Sequence, residues 1–332
     1  MSQTLKSQNR VDSSLVSPAY IADILGDGYE QLTLNFPNDD QGKVTATLIR
    51  KKAPQKTHKA VLYIHGFIDY FFQTEMAEQF NQHDYDFYAL DLRKYGRSLM
   101  PHQKPYFVVD LREYDAEINE ALKIIQQENH DSVVLSGHST GGLITTLYAT
   151  HYPEHPLIKA LWVNSPFYDF KMHPLKKKNA LPYLSHLGKK FPRLKFPSEL
   201  NKFYVQSLHQ KFHGEWDFNL LWKPTTYPMV YISFVHAIFE AQKEIHQGAK
   251  LSIPTLVMCS DKTRNPKKFN HDAQSSDVIL DVQQIQECAN ELQGNINVIT
   301  IKDGLHDLVL SELKVRTQVY KELFDWLAQL KI

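Results

Sequence analysis

Three short stretches carry residue types whose chemistry is complementary. Gly137-His138-Ser139-Thr140-Gly141 follows an apolar run, Ser132 to Leu135, and precedes a helical pattern that begins near Gly142. A strand that reverses sharply into a helix at a serine needs glycine two residues to either side, because side chains there would collide. Such a turn lifts the Ser139 hydroxyl clear of a sheet and puts a helix N-terminus behind it, which favours developing negative charge. A serine hydroxyl is a weak nucleophile near neutral pH, so an imidazole must take its proton. Of the 16 histidines, His306 is the best placed, because Gly304-Leu305-His306 lies on the loop between the last apolar run, Asn297 to Ile301, and the final helical pattern. The third stretch, His65-Gly66-Phe67, closes the run Ala60 to Ile64. The backbone N–H groups of Phe67 and Thr140 are the candidate donors for an oxyanion. His65 itself reads as a structural residue bonding nearby loops.

An imidazole acting as base needs a carboxylate to orient it. Three aspartates follow the run Ile253 to Cys259, namely Asp261, Asp277 and Asp281. Asp261 sits nearest the strand end. In a compact loop, however, the helix Val282 to Leu292 should begin about five residues after the acid, and Asp277 meets that spacing. Asp281, immediately before that helix with Gln284 three residues on, reads as a capping box instead. Asp277 is therefore favoured over Asp261, with Lys262 to Ser276 taken as a loop insertion.

These residues need a scaffold. Glu30 to Asn35 and Lys43 to Arg50 alternate in polarity around Pro37-Asn38-Asp39-Asp40, the pattern of a hairpin. Apolar runs then recur without alternation, adding Phe87 to Leu92 and Ala160 to Val163 to those named above, which suggests strands covered on both faces. Helical patterns separate them at Phe72 to Gln82, Asp110 to Asn129, Gly141 to His151, Val282 to Leu292 and Ser311 to Leu330. Strands alternating with helices predict an α/β architecture with a doubly wound sheet. From Asp169 to Gln247 the rhythm stops and aromatics crowd in, as expected of an inserted helical cap. The predicted division is thus residues 1–168 and 249–332 for the core and 169–248 for the cap. The cap's first part is basic, with Lys171, Lys176, Lys177, Lys178, Lys189, Lys190, Arg193, Lys195 and Lys202 against Glu199. Weak peripheral contact with an anionic membrane surface is one use for that charge, although solvated lysines are the simpler account.

The 37 Lys and Arg balance 37 Asp and Glu over 332 residues, so no global field draws in nucleic acid. Only Cys259 and Cys288 are present, a usage that suggests a reducing compartment and no disulfide. The polar start, expected to be loosely ordered, lacks an apolar leader core, and no run reaches the ~20 apolar residues of a membrane span. The expected location is the cytoplasm. Neither a nucleotide-binding glycine motif nor a metal-ligand spacing occurs, so no cofactor is expected. No motif specifies an oligomeric state.

The chain resembles the α/β-hydrolase superfamily, in particular its serine aminopeptidase S33 and monoacylglycerol lipase/lysophospholipase-like branch. The resemblance rests on His65-Gly66-Phe67, Asp91-Leu92-Arg93-Lys94-Tyr95-Gly96-Arg97-Ser98, the turn around Ser139, and Gly304-Leu305-His306, whose order spans most of the chain. It implies an α/β-hydrolase fold with a mostly parallel eight-stranded sheet, helices on both faces, a cap after the sixth strand, and a Ser–acid–His triad without cofactor. It also implies that Asp91, Gly96 and Ser98 are structural. The usual acid loop of the family is shorter, and its offset from Pro254 falls here near Thr263. The stretches His213 to Phe218, Trp222-Lys223-Pro224 and Ser276 to Val282 look like a bacterial subgroup of generic α/β-hydrolases. The expected activity is cleavage of a carboxylic ester, of a small acyl or lipid substrate, by Ser139, His306 and Asp277. Two alternatives are an S33-type proline aminopeptidase, with Glu215 as a holder for the substrate amine, and a binding protein on a hydrolase scaffold.

Overall fold

The computed structural model of the chain describes residues 19–198 and 200–332. The polar start, Glu199 and the side chain of Lys176 lie outside the described residues. After the two-residue strand β1 (Ile21–Ala22), β2 (Tyr29–Asp39) and β3 (Gly42–Lys51) form the expected hairpin, in register from Tyr29↔Lys51 to Asp39↔Gly42. The strands extend further than the polarity pattern suggests. Pro37 is carried inside β2 where the register shifts between Phe36 and Asp39, a place that tolerates a missing N–H. The reversal itself falls at Asp40-Gln41, where Asp39 Oδ1 accepts the Gln41 N–H at 2.7 Å.

From there strand and helix alternate: β4 (Lys59–Ile64), α1 (Thr74–Gln82), β5 (Asp86–Asp91), α2 (Asp115–Gln127), β6 (Ser132–His138), α3 (Thr140–His151) and β7 (Ile158–Asn164). Successive residues of a strand face opposite sides of the sheet. On β4, Ala60, Leu62 and Ile64 join the core that contains Ile118 and Leu122 of α2, while Val61 and Tyr63 join the one that contains Phe80 of α1. Both faces are covered, which is why these strands read as unbroken apolar runs.

The chain then leaves the sheet through α4 (Pro174–Lys190), β8 (Lys195–Phe196), α5 (Phe203–Leu208), β9 (Val230–Tyr231) and α6 (Ile232–His246). It returns with β10 (Thr255–Ser260), α7 (Val282–Glu291), β11 (Ile296–Ile301) and α8 (Leu313–Leu330). The main sheet runs β1-β2-β3-β5-β4-β6-β7-β10-β11. It holds the eight expected strands plus the short β1, and it is parallel from β5 to β11. The strands β8 and β9 pair only with each other. Within the inserted segment α6 differs from a free-standing lid helix: Phe234, Ala237, Ile238, Ala241 and Ile245 belong to the main core. Among the described residues no helix is long and apolar enough to cross a membrane.

The most crowded junction is where α3 enters the sheet. A Cβ on Gly141 would stand 2.2 Å from the Ile64 carbonyl oxygen and 2.4 Å from that of His65. Backbone carbonyls at a strand end cannot swing aside as a side chain would. Gly141→Ala is therefore expected to lower folding stability by about 1–3 kcal/mol or more, the usual cost of overpacking. A urea titration measures it, and an unchanged midpoint would contradict this packing.

Candidate active site

Ser139 sits between the end of β6 and the start of α3 with φ +54° and ψ −116°. A residue other than glycine at such angles costs roughly 1–3 kcal/mol and persists only where surrounding contacts fix it. The contacts are present: the Ser139 N–H donates to Asn164 O at 3.0 Å, and its carbonyl accepts from Phe167 N–H at 2.9 Å. The hydroxyl is thereby aimed at the loop after β11. There His306 Nε2 lies 3.0 Å from Ser139 Oγ, and His306 Nδ1 lies 2.7 Å from Asp277 Oδ2. All three side chains are buried. A carboxylate only accepts, so Nδ1–H donates to Asp277 and Nε2 is left with a lone pair for the serine proton.

The choice between acids has a structural reason. The chain leaves β10, makes a long excursion, and returns so that Thr263 and Asp277 pair as a bridge. Asp277 N–H donates to Lys262 O and Arg264 N–H to Asp277 O, each at 3.0 Å. The insertion thus brings Asp277 back beside the strand exit. Its Oδ1 accepts the N–H groups of Leu280 at 2.7 Å and Ile279 at 2.8 Å, leaving Oδ2 for the imidazole. Asp261 instead is exposed, and its Oδ1 accepts the Asp303 N–H at 2.9 Å. Asp281 caps α7 through the Gln283 N–H at 3.0 Å. The reciprocal half of the expected capping box is not made, since Gln284 Oε1 has no partner.

Burial penalises both charged forms in this pair, in opposite directions. For Asp277 it would raise the pKa, but the His306 imidazole and the two N–H donors outweigh it and hold the carboxyl below its usual value. For His306 burial lowers the pKa and wins over the upward pull of Asp277, so the ring favours its neutral form. A neutral imidazole beside an ionised carboxylate is the resting state a general base needs.

Gly66, Phe67, Ser139, Thr140 and His306 share one cavity of about 530 Å³. Neither the Phe67 nor the Thr140 N–H donates to another acceptor among the described residues. The remaining wall is mostly apolar, including Phe167, Phe170, Leu181, Phe196, Val235 and Leu280. Sequence reasoning missed the polar part of it. Asp69 is buried and its Oδ1 lies 2.8 Å from Lys223 Nζ, which is buried too. Lys223 belongs to the Trp222-Lys223-Pro224 stretch, so the motif was visible while its partner was not. Asp69, His138 and Asp307 also bring their donor atoms within 4.8 Å of one another. That set suits a cation poorly, because Lys223 already occupies Asp69, and Asn164 and Gln73 amides bond the two oxygens of Asp307.

The remaining assignments divide cleanly. His65 Nδ1–H donates to Gly66 O at 2.8 Å and Nε2 accepts the Leu92 N–H at 3.1 Å, a structural role. Asp91 is buried under Phe71 N–H, Arg97 N–H and the Arg97 guanidinium, Ser98 Oγ bonds its carbonyl, and a Cβ at Gly96 would meet its carboxylate at 2.4 Å. Glu215 is not part of the cavity wall; it pairs with Arg316 at the start of α8. Glu215 is therefore not placed to hold a substrate amine in that cavity.

A family model described as serine aminopeptidase, S33, matches residues 55–312. Epoxide hydrolase 4 from Mus musculus is 31% identical over 115 residues, which is 34% of this chain and 30% of that protein. The human protein is 30% identical over the same length and share. The match thus spans less than a third of those relatives. Among solved structures, a soluble variant of monoglyceride lipase from Saccharomyces cerevisiae superposes with TM-score 0.63 at 16% identity, covering 90% of this chain and 94% of that one. Monoacylglycerol lipase from Paleococcus ferrophilus gives TM-score 0.64 at 17% identity, covering 85% and 99%. At such identities the likeness shows the fold, which is that of the α/β-hydrolases.

Two outcomes follow from the geometry. Asp277→Asn should lower kcat by a factor on the order of 10⁴, as loss of the orienting carboxylate does in serine triads, whereas Asp261→Asn should stay within about threefold. Steady-state ester hydrolysis compares them, and a larger loss at Asp261 would reverse the assignment. In the wild type, kcat/KM should rise with pH as His306 loses its proton, with a midpoint below the ordinary imidazole value of 6.5. In Asp277→Asn the residual activity should show a still lower midpoint, because the carboxylate that pulls the imidazole pKa up is gone.

Proposed function

The chain belongs to the serine aminopeptidase S33 family, and we propose that within this hydrolase family it cleaves carboxylic esters of apolar acids. The observation that carries the reading is the continuous line Ser139 Oγ, His306, Asp277, with spacings of 3.0 and 2.7 Å, opening into a largely apolar cavity. Ser139 Oγ attacks the acyl carbonyl while His306 Nε2 takes its proton. The carbonyl oxygen becomes an oxyanion facing the Phe67 and Thr140 N–H groups, each worth roughly 2.7–4 kcal/mol of barrier. Collapse of this intermediate expels the alcohol, which receives the proton from His306. Water, deprotonated by the same imidazole, then releases the acid and restores Ser139.

In this reading residues 169–248 form a cap whose inner face completes the acyl pocket, through Phe170, Leu181, Phe196 and Val235. Ester cleavage is favoured over removal of an N-terminal residue by charge. A peptide amine needs a free carboxylate near the nucleophile, and the one carboxylate among the described lining residues, Asp69, is neutralised by Lys223. A serine at the turn, where an aspartate would be required for epoxide or halide chemistry on this fold, sets that chemistry aside. The basic stretch offers less free charge to a membrane than its composition suggests, since Lys177 pairs with Asp169 and Arg193 with Asp40.

A fluorophosphonate probe should label the wild type at Ser139, and Ser139→Ala should lose both labelling and turnover, the latter by a factor on the order of 10⁶. p-Nitrophenyl esters of increasing chain length should be turned over, and alanine or proline nitroanilides should not. Labelling that survives in Ser139→Ala removes the nucleophile. Anilide turnover without ester turnover replaces the esterase with a peptidase.

A further inference from the structure

The loop that carries the Phe67 donor has few close main-chain hydrogen bonds of its own. Ile68, the next residue, has φ +52° and is buried. A β-branched residue at such an angle is a steric outlier that something must hold. Phe67 and Ile68 form a tight turn, and from Phe67 to Asp69 no main-chain N–H makes a close hydrogen bond among the described residues. The first anchor past the strained residue is the Asp69 side chain, whose Oδ1 accepts the Tyr70 N–H at 3.0 Å and also meets Lys223 Nζ at 2.8 Å.

Lys223 arrives from the inserted segment, between α5 and β9, and that segment grips the loop twice more. The Asn219 N–H donates to Tyr70 Oη at 2.6 Å, and the Trp222 ring stands edge-on to Tyr70 with centroids 5.0 Å apart. Asn219 O in turn accepts the Lys223 N–H at 3.0 Å, which ties the contacts into one unit. Both ends of the ion pair are fully desolvated, with side-chain exposures of 4% and 1%. A salt bridge this deep seldom adds net stability over an apolar pair of the same shape, so its location calls for another explanation. It lies two residues from the amide that must point at the oxyanion.

We propose that Lys223 is a positioning residue for the oxyanion site: through Asp69 it holds the strained Phe67–Asp69 turn in the conformation that presents the Phe67 N–H to the cavity. The donor pair is then complete only while the inserted segment is seated on the loop. The inference rests on the ester-hydrolase reading, in which Phe67 N–H receives the developing charge.

Three variants test it on p-nitrophenyl butyrate. Losing an oxyanion donor outright costs roughly 10²–10³ in kcat, so a donor left in place but unheld in Lys223→Met should cost about 10- to 100-fold, with KM within about threefold of wild type. Affinity for a trifluoromethyl ketone, whose tetrahedral adduct needs the amide, should fall by the same factor as kcat/KM. Lys223→Arg, which keeps the ion pair, should stay within about threefold of wild type in kcat. The double variant Asp69→Asn with Lys223→Met removes the unpaired buried charge as well. It should be as impaired as Lys223→Met, because both residues act through one contact. An unimpaired kcat in Lys223→Met, a change in KM alone, or recovery in the double variant overturns the proposal; the last would mean that a lone Asp69 charge had disturbed His138, whose Nδ1 lies 3.8 Å from Asp69 Oδ2. Should circular dichroism show Lys223→Met unfolded, the same comparison on Lys223→Gln decides. Failure of the ester-hydrolase reading looks different, since the wild type itself would then neither label at Ser139 nor turn over the ester.

Discussion

The site depends on one constraint, a serine held at a backbone angle that serine does not choose. Ser139 at φ +54° can persist only if the residues around it cannot relax. Its neighbours provide that rigidity: ten of the twelve residues of α3 are buried, and Gly141 lies against the carbonyls that end β4. The same crowding fixes where everything else must come from. A hydroxyl raised above the C-terminal edge of a parallel sheet can be reached only by loops leaving that edge, and the loops that carry His306, Asp277 and Phe67 all do so. This is the general position of sites in open α/β sheets.

Buried polar groups make the arrangement stiff. Asn164, the last residue of β7, accepts the Ser139 N–H through its carbonyl and bonds Asp307 through its side-chain amide at 2.7 Å. One residue therefore ties the serine turn to the histidine loop. Asp307 also accepts from Gln73 at 3.0 Å, which extends the tie to the start of α1. In a low-dielectric interior each such bond, once made, is costly to break, so the spacing of Ser139 and His306 is set by several elements at once.

How far the residues disclosed this depends on the range of each interaction. The apolar runs marked the central strands because both faces of the sheet are covered, and the glycines around Ser139 marked the turn because close approach excludes a Cβ. Asp277 was legible through helix spacing, a local signal, although the reason it occupies that place is the Thr263 bridge that folds the insertion back. Asp69 with Lys223 was not legible. The two residues are far apart in the chain, each is ordinary by itself, and only the packing of the inserted segment on the β4 loop brings them together. The same holds for α6, whose own amphipathic pattern does not say which core receives its apolar face. Glu215 failed in the opposite way, as a plausible carboxylate whose distance from the cavity no local pattern could reveal.

The buried ion pair also bears on selectivity. A largely apolar cavity penalises a charged substrate group that finds no partner there, because desolvating an unpaired ion costs far more than an acyl chain gains from burial. A peptide amine would have to displace Lys223 from Asp69, the one carboxylate among the described lining residues, leaving a buried charge uncompensated. A neutral ester disturbs neither. In the proposed reading the pair that steadies the loop thus also withholds the Asp69 carboxylate from a substrate amine, and both effects follow from a lysine of the inserted segment reaching the second residue after Phe67.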